Sequence, residues 1–199
     1  MNQSSTPDRF AVIEAGFSGD IETAERGLRH LESSVRASAL RALHRLASLN
    51  EKQLVYGLTD PSAVVRRTAV ELSVNMQHVE IHSLLNDADV FVAEMTAWSL
   101  GERTEPSDEE INALISATLQ HPEAVVREAS AAALGSLGDE RGRQAILTAC
   151  TDKPAVRRRA VLALAPFEGD DVEAALRAAL EDRDWQVRQN AEILLNPRD

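Results

Sequence analysis

Few residues of this chain have the side chains and spacing that catalysis or metal binding requires. His78 and His82 lie four residues apart, which suits one face of a helix, but no third ligand is evident near them. Cys150 is the only cysteine and has no histidine near it in the sequence, which favours a structural thiol over a nucleophile. The chain contains no glycine-rich phosphate-binding loop. These residues predict neither a metal nor another cofactor, and they favour a non-enzymatic protein.

One stripe of large apolar side chains is the strongest candidate for a binding surface. Phe91, Met95 and Trp98 follow each other at spacings of four and three residues, so they share one side of a helix. Tryptophan and methionine that are exposed in a groove are typical binding anchors. Two interpretations stay open, because neighbouring helices could instead cover the stripe. Leu162 and Ile193 have the same helical phase as Trp98 in later segments, so an apolar ridge is a further possibility.

These side chains belong to a unit that returns along most of the chain. The unit contains a Val-Arg pair, a small residue three positions after the arginine, and usually a leucine seven positions after it. With the arginine taken as position zero, successive zero positions are separated by 30, 27, 34, 30 and 31 residues. A period of this size predicts stacked repeats, each made of an outer helix, a turn and an inner helix that carries the Val-Arg pair. The zero positions are Arg36, Arg66, Ala93, Arg127, Arg157 and Arg188.

The same pattern predicts where the helices begin and end. A leading helix over 8–17 is expected to cap the stack, with Phe10, Ile13 and Phe17 on one side, after a loose polar segment over 1–7. The expected pairs of outer and inner helices are 20–31 with 35–49, 51–58 with 61–75, 79–85 with 90–101, 107–119 with 122–137, 140–149 with 154–164, and 170–180 with 185–195.

Individual residues mark some of these boundaries. Ser107, with Glu110 three residues later, predicts a capping box at a helix start. Gly101, Gly135 and Gly138 follow inner helices and are interpreted as helix stops.

The run Val-Arg-Glu-Ala-Ser-Ala-Ala-Ala-Leu-Gly-Ser-Leu-Gly-Asp, which ends at Asp139, resembles the consensus of the HEAT-repeat superfamily. In detail it is most similar to the short bacterial type, the PBS-lyase HEAT-like repeats. The resemblance covers roughly residues 20–197. It implies an all-α fold, a right-handed α-solenoid of about six two-helix repeats with an N-terminal capping helix, in a single domain over 1–199.

Arginine near the start of a helix opposes the helix macrodipole, so its recurrence there predicts a compensating carboxylate. Aspartates precede three of the arginines by five or six residues, and bidentate pairs within a repeat are expected. Arg127 has His121 where an aspartate is expected, so we expect it to reach back to Asp87 of the preceding repeat, which lacks the arginine. The alternative interpretation of the row is an anion-binding track. The pairs expected within a repeat are Asp60 with Arg66, Asp152 with Arg157, and Asp182 with Arg188.

Charge restricts the class of partner. The formal net charge of −11 opposes general affinity for nucleic acid or anionic lipid. Acidic residues crowd the outer helices, whereas Arg41, Arg67 and Arg158 lie on inner helices. The inner face is therefore expected to be mixed to basic, and it either binds an acidic peptide or another anionic ligand or is simply solvated.

Three classes of function follow. The leading hypothesis is a scaffold that binds a protein or peptide segment on its concave face without a cofactor. One alternative is a chromophore-handling accessory subunit, as in the phycobilin lyases that these repeats resemble, and the other is a DNA alkylpurine glycosylase of the HEAT-like type. The related deoxyhypusine hydroxylases bind iron through His-Glu dipeptides, which this chain lacks, so their activity is not implied. A single cysteine and the absence of a signal pattern or long apolar stretch predict a cytoplasmic protein outside the membrane, and the oligomeric state stays open.

Overall fold

The computed structural model describes residues 7–196, and within that range every regular element is helical. The chain divides into two compact units, Met1–Ile81 (unit 1) and His82–Asp199 (unit 2). The segment expected to be loose, 1–7, lies outside the described residues except for Pro7, which is buried. No helix in 7–196 combines the length and the apolar character needed to cross a bilayer.

Unit 1 contains two outer helices and three helices in the inner row. The leading helix packs against the first inner helix, which in turn packs against the second, so the leading helix continues the inner row. The inner row is α1 (Arg9–Ser18), α3 (Ser33–Arg45) and α5 (Ala63–Ser73), and the outer helices are α2 (Ile21–Gly27) and α4 (Glu51–Leu58).

Unit 2 repeats this arrangement, with one exception. The outer helix expected over 79–85 is wrong, because only a short 3-10 helix, His82–Asn86, forms there. The 27-residue step makes this repeat the shortest, and the shortening falls on its outer segment. A second 3-10 helix, Glu140–Gly142, precedes α9. The inner row is α6 (Val90–Gly101), α8 (Ala124–Leu137), α10 (Pro154–Ala163) and α12 (Trp185–Leu195), and the outer helices are α7 (Asp108–Gln120), α9 (Arg143–Ala149) and α11 (Asp170–Ala179).

Each inner helix buries the face that the repeat pattern defines. In α8 the residues at offsets minus one, plus three, plus four and plus seven are Val126, Ser130, Ala131 and Leu134, and all four are fully buried. Small residues at two of these offsets let neighbouring helices approach closely, and the leucine fills the space between repeats. The predicted capping box is confirmed, since Ser107 Oγ accepts from Glu110 N at 3.2 Å and Glu110 Oε2 accepts from Ser107 N at 3.0 Å.

The glycines of the inner row have two different roles. Gly138 is a helix stop as predicted, because it adopts a left-handed conformation with φ of 62° at the C-cap of α8. For Gly135 that interpretation is wrong, since it lies inside α8. Gly101 is the last residue of α6, but it has no positive φ, and the C-cap is Glu102. A Cβ atom on Gly135 would lie 2.6 Å from the Cα atom of Ala163 on α10. These two glycines are therefore required by the close contact between successive inner helices.

We expect Gly135→Ala to destabilise the protein by about 1 to 3 kcal/mol, because the added methyl group meets backbone on α10. Alanine would otherwise favour the helix by up to about 1 kcal/mol, so the sign of the effect is diagnostic. The measurement is urea denaturation followed by circular dichroism. Ser136→Ala, at the exposed neighbouring position, serves as control and should change the free energy of unfolding by less than about 0.5 kcal/mol. A more stable Gly135→Ala protein would contradict the packing argument.

Three of the arginines at position zero join their repeat to the one that follows it within the same unit. Arg127 Nε and Nη2 donate to the carboxylate of Asp152 at 2.6 and 2.9 Å. Arg36 and Arg157 make the same bidentate contact with aspartates 24 and 25 residues further on. We call this series of contacts the arginine ladder. It includes the pairs Arg36 with Asp60, Arg127 with Asp152, and Arg157 with Asp182.

Two expectations about these arginines are therefore wrong. Arg127 does not reach back to Asp87, because its guanidinium points forward to Asp152. The expected side-chain pairs within a repeat are replaced by contacts to the backbone. In each case Nη1 of the arginine donates to a backbone carbonyl in the turn of its own repeat. In the ladder pairs, Nε and Nη2 are thereby directed at the aspartate of the next repeat. The contacts to the backbone join Arg66 to the carbonyl of Asp60 at 2.9 Å, Arg157 to that of Asp152 at 2.8 Å, and Arg188 to that of Asp182 at 2.7 Å.

The histidine that replaces the expected aspartate also has a physical reason. In the turn before an inner helix the aspartate accepts a hydrogen bond from the backbone N–H two residues later, as Asp182 does from Asp184 at 2.8 Å. His121 Nδ1 accepts the equivalent bond from Glu123 N at 3.1 Å. Histidine thus maintains the turn but supplies no carboxylate. None is needed at this position, because the preceding repeat has Ala93 at position zero.

The ladder changes the acid-base properties of its members. The hydrogen bonds from Arg127 and Arg157 hold the pKa values of Asp152 and Asp182 below their ordinary value, against the opposing effect of burial. Burial also acts to raise the pKa of Asp60, but the hydrogen bond from Arg36 and that from a backbone N–H outweigh it. A lowered folded-state pKa means that each contact stabilises the folded protein more when the carboxylate is ionised.

Removing either partner of the Arg127–Asp152 contact should cost about 2 to 4 kcal/mol, since each change leaves the other charge part-buried without its partner. We expect Arg127→Ala, Asp152→Ala and the double variant to show strong coupling in a double-mutant cycle measured by urea denaturation. The coupling should be present above pH 3.8, the ordinary aspartate value, and disappear as the pH falls through the lowered folded-state pKa.

The matched control for this cycle is the solvent-exposed pair Arg177 and Glu173 on α11, whose removal should change stability by less than about 1 kcal/mol. Additive effects of the Arg127 and Asp152 substitutions would refute an energetic role for the contact.

Candidate functional site

The apolar stripe of α6 is exposed. Phe91 and Trp98 expose 55% and 48% of their surface, and Met95 between them is half-buried. The opposite side of the same helix carries Val92 and Leu100, which are fully buried. The helices of the inner row therefore leave the stripe uncovered, and its side chains stand on a helix that is fixed by its other face.

The next inner helix presents small side chains beside this stripe. Helix α8 packs against α6. Its residues 34 positions after Phe91, Met95 and Trp98 have the same offsets from position zero, and all three are half-buried. Because these side chains are short, the large side chains of α6 rise above them and form a step. The equivalent residues of α8 are Val125, Ala129 and Ala132.

The predicted apolar ridge is present in part. Leu162 on α10 and Ile193 on α12 are exposed at the offset of Trp98. On α8 the same offset holds Ala132, so the ridge is low between Trp98 and Leu162. The apolar surface of the inner row is therefore a trough with α8 as its floor.

The inner face was expected to be mixed to basic, and around this trough charges of both signs are present. Arg158 on α10 contacts the carboxylate of Asp184 at 3.0 Å, and Arg159 lies 3.9 Å from Glu128 on α8. Glu94 of α6 is half-buried beside the stripe, and the structure gives it no hydrogen bond or ion pair with residues 7–196. The arginines of α10 are thus already engaged by carboxylates of the neighbouring helices.

The inner row of unit 1 has a different surface. Arg41 contacts Glu71 at 2.9 Å, and both side chains are exposed. Arg67 is exposed on α5. The sequence predicts this basic character, but not that Arg41 is paired across the row.

The leading helix α1 also leaves an apolar side uncovered. Its buried face is Val12, Ala15 and Gly16, so Phe10 and Phe17 are exposed on the other side. Arg45 of α3 lies over the ring of Phe17, 4.1 Å from its centroid. The Phe10 side of α1 therefore faces solvent.

Unit 1 also contains an open groove on its outer helices that the sequence did not indicate. Its volume is about 800 Å³, and side chains of α2 and α4 line most of it. Gln53 Nε2 donates to Glu25 Oε1 across the groove at 3.1 Å. Both signs of charge are present, from residues that include Glu22, Glu25, Arg29 and Lys52.

A buried ion pair was also missed in the connection that was interpreted as a polar loop. Arg103 is almost fully buried, with its Nε atom 3.5 Å from Glu110 Oε1. Burial lowers the pKa of Arg103, while the charge of Glu110 opposes that effect. Glu110 thus serves both the capping box and this pair, and only the first role has a sequence signal.

The residues with catalytic side chains are not brought together. Burial raises the pKa of the Cys150 thiol to about 12, which keeps it protonated and unreactive at neutral pH. His78 Nε2 lies 3.4 Å from Glu51 Oε2 on the exposed surface of unit 1. Across residues 7–196 there is no group of three histidine, cysteine, aspartate or glutamate side chains that could hold a metal ion.

Two-helix repeats that stack through their inner helices define an α-solenoid, and sequence comparison identifies the type. The model for HEAT repeats matches residues 79–155, that for PBS lyase HEAT-like repeats matches 156–182, and that for a HEAT repeat associated with sister chromatid cohesion matches 52–72. The chain is a HEAT-repeat protein. No curated protein sequence matches it significantly.

Solved structures share the fold. Human deoxyhypusine hydroxylase in complex with glycerol aligns over 96% of this chain and 80% of its own, with a TM-score of 0.50 and 21% identity. An engineered protein, OR497 of the Northeast Structural Genomics Consortium, aligns over 96% of this chain and 60% of its own, with a TM-score of 0.55 and 19% identity. At these identities the similarity concerns the fold alone.

We expect Trp98→Ala to change the free energy of unfolding by less than about 1 kcal/mol, because the side chain is half exposed. Leu100→Ala, two residues away and fully buried, should cost about 2 to 5 kcal/mol. Urea denaturation followed by circular dichroism measures both. A large loss of stability in Trp98→Ala would show that the tryptophan is a packing residue.

Proposed function

We propose that this protein is a non-enzymatic binding module whose inner-row surface in unit 2 docks a segment of another protein. The observation that carries the proposal is the exposure of Phe91 and Trp98 on a helix whose opposite face is fully buried. Single exposed apolar residues are common on protein surfaces, but clustered aromatic side chains next to small ones are typical of binding sites. Burying two such side chains against a partner stabilises a complex at little entropic cost, because they are already held in place.

Among the predicted basic residues, Arg158 lies in unit 2 with the stripe and would form part of the rim of this interface, whereas Arg41 and Arg67 belong to the inner row of unit 1. Arg41 and Arg158 are in part-exposed ion pairs. Such arginines can add hydrogen bonds to polar groups of a partner while they keep their carboxylates. We assign them a role in orientation, and the apolar stripe the main role in affinity.

Other functions have less support. The match to PBS lyase HEAT-like repeats covers 156–182, which describes the repeat itself and does not include the stripe. The net charge of −11 opposes a glycosylase that must bind nucleic acid. We further propose that the protein acts in the cytoplasm, since a HEAT repeat with one buried thiol does not depend on disulfides.

The test is selection from a phage-displayed library of random 16-residue peptides on the purified protein. Selected peptides are synthesised and their dissociation constants measured by fluorescence anisotropy. We expect the double variant Phe91→Ala/Trp98→Ala to bind them at least tenfold more weakly than the unsubstituted protein, because it lacks both anchors.

The double variant Phe10→Ala/Phe17→Ala is the matched control, since it removes two exposed aromatic side chains from α1 of unit 1. It should bind the peptides with unchanged affinity. If the peptides bind all three proteins equally well, the stripe is not the binding surface.

A further inference from the structure

The trough of unit 2 has dimensions that define its occupant. Its walls are the large side chains of α6 on one side and Leu162 and Arg159 of α10 on the other, and α8 is the floor. Helices that pack against each other have axes about 8 to 10 Å apart, so the axes of α6 and α10 are separated by about 16 to 20 Å. An α-helix, about 10 to 12 Å across with its side chains, can pack over the short side chains of α8 and contact both walls.

The length of the stripe also suits a helix. Phe91 and Trp98 are seven residues apart, which corresponds to about 10 Å along α6 at about 1.5 Å per residue. An opposing helix with apolar residues at spacings of three, four and seven presents its anchors over the same length. The short side chains of Ala129 and Ala132 leave space for those anchors beside Trp98.

The charges at the trough select among such helices. The positions of α6 and α8 that face the trough hold two charged residues, Glu94 and Glu128, and both are acidic. The arginines of α10 do not offset them fully, because Arg158 is held by Asp184, and Arg159 lies 3.9 Å from Glu128 and does not reach Glu94. Glu94 remains without a counter-charge among the described residues, next to the apolar stripe.

We propose that the occupant is a basic amphipathic helix of a partner protein, whose apolar side packs on the stripe and whose lysine or arginine residues face Glu94 and Glu128. This inference rests on the proposed function and names the partner's chemistry. It replaces the acidic peptide that the inner-row arginines suggested, because those on α10 are engaged by carboxylates. The net charge of −11 would also speed the approach of a basic partner.

Three synthetic 16-residue peptides with one amphipathic helical pattern test this proposal. Their apolar residues, leucine and phenylalanine, are identical, and their polar positions next to the apolar side carry lysine, glutamine or glutamate. Binding is followed by the fluorescence anisotropy of a dye attached to each peptide, so that the unsubstituted protein and Trp98→Ala are measured in the same way. We expect the lysine peptide to bind at least tenfold more tightly than the glutamate peptide, with the glutamine peptide between them.

Two charge variants show whether the preference is local. Glu94→Lys/Glu128→Lys should bring the lysine and glutamate peptides to within threefold of each other or invert their order. Glu105→Lys/Glu109→Lys makes the same change in net charge at exposed positions before and within α7, and it should keep most of the preference.

The outcomes separate the two proposals. If no peptide binds in a manner that Trp98→Ala weakens, the proposed function itself fails. If binding depends on Trp98 but the three peptides bind equally, or the two charge variants act alike, the binding surface stands and the basic helix is refuted.

Discussion

The forward contact that Arg36, Arg127 and Arg157 make with the next repeat is the interaction on which the architecture of each unit depends. A two-helix repeat cannot bury its own apolar face, so its stability comes from its neighbours. Apolar packing between alanines and leucines supplies energy but is tolerant of small shifts. A bidentate guanidinium–carboxylate contact such as that of Arg157 with Asp182 is directional and fixes the register of adjacent repeats. Gly135 allows α8 and α10 to approach closely at the junction where Arg127 contacts Asp152. Gly101 allows the same approach of α6 and α8, although the repeat of α6 has Ala93 in place of the arginine.

The stripe of α6 becomes a distinct surface because of this rigid support. Val92 and Leu100 hold one side of the helix in the core, and the other side is left to solvent. At the same offsets α8 has valine and alanine, and α10 has alanine, arginine and leucine. Differences in side-chain size therefore shape this surface. A repeat fold thus separates the residues that stabilise it from those that are available for a partner.

Much of the fold could be predicted from the sequence, because each repeat has the same types of residue at the same offsets from position zero. Helices α4, α6 and α12 have the predicted bounds, and the capping box at Ser107 was correct. The direction of the ladder could not be predicted, since aspartates five residues before an arginine in the sequence are nearer along the chain than aspartates 25 residues after it. Only the stacking reverses that order in space. The burial of Arg103 likewise depends on tertiary packing, which a polar stretch of sequence does not reveal.

The exposure of the stripe could be predicted only in part. Its helical phase follows from the spacing of the three residues. The phase alone does not decide whether the stripe is covered or exposed, because an inner helix has a neighbour on each side. For a related reason the sequence did not reveal which arginines of the mixed to basic inner face are paired. Arg41 and Arg158 were counted as free charges, whereas Glu71 and Asp184 of the following helix meet them.

One repeat has Ala93 in place of the arginine, and the next has His121 in place of the aspartate. These two replacements together restrict which repeats could be duplicated or deleted. The repeat that contains Asp152 and Arg157 both receives a guanidinium and supplies one, so tandem copies of it would be mutually compatible. The repeat that contains His121 and Arg127 only supplies one. A tandem duplicate of that repeat would set Arg127 against an imidazole, and the junction would lose its ionic contact. Gene duplication in such an array is therefore constrained by the ionic contacts at the junctions between repeats as well as by the number of repeats.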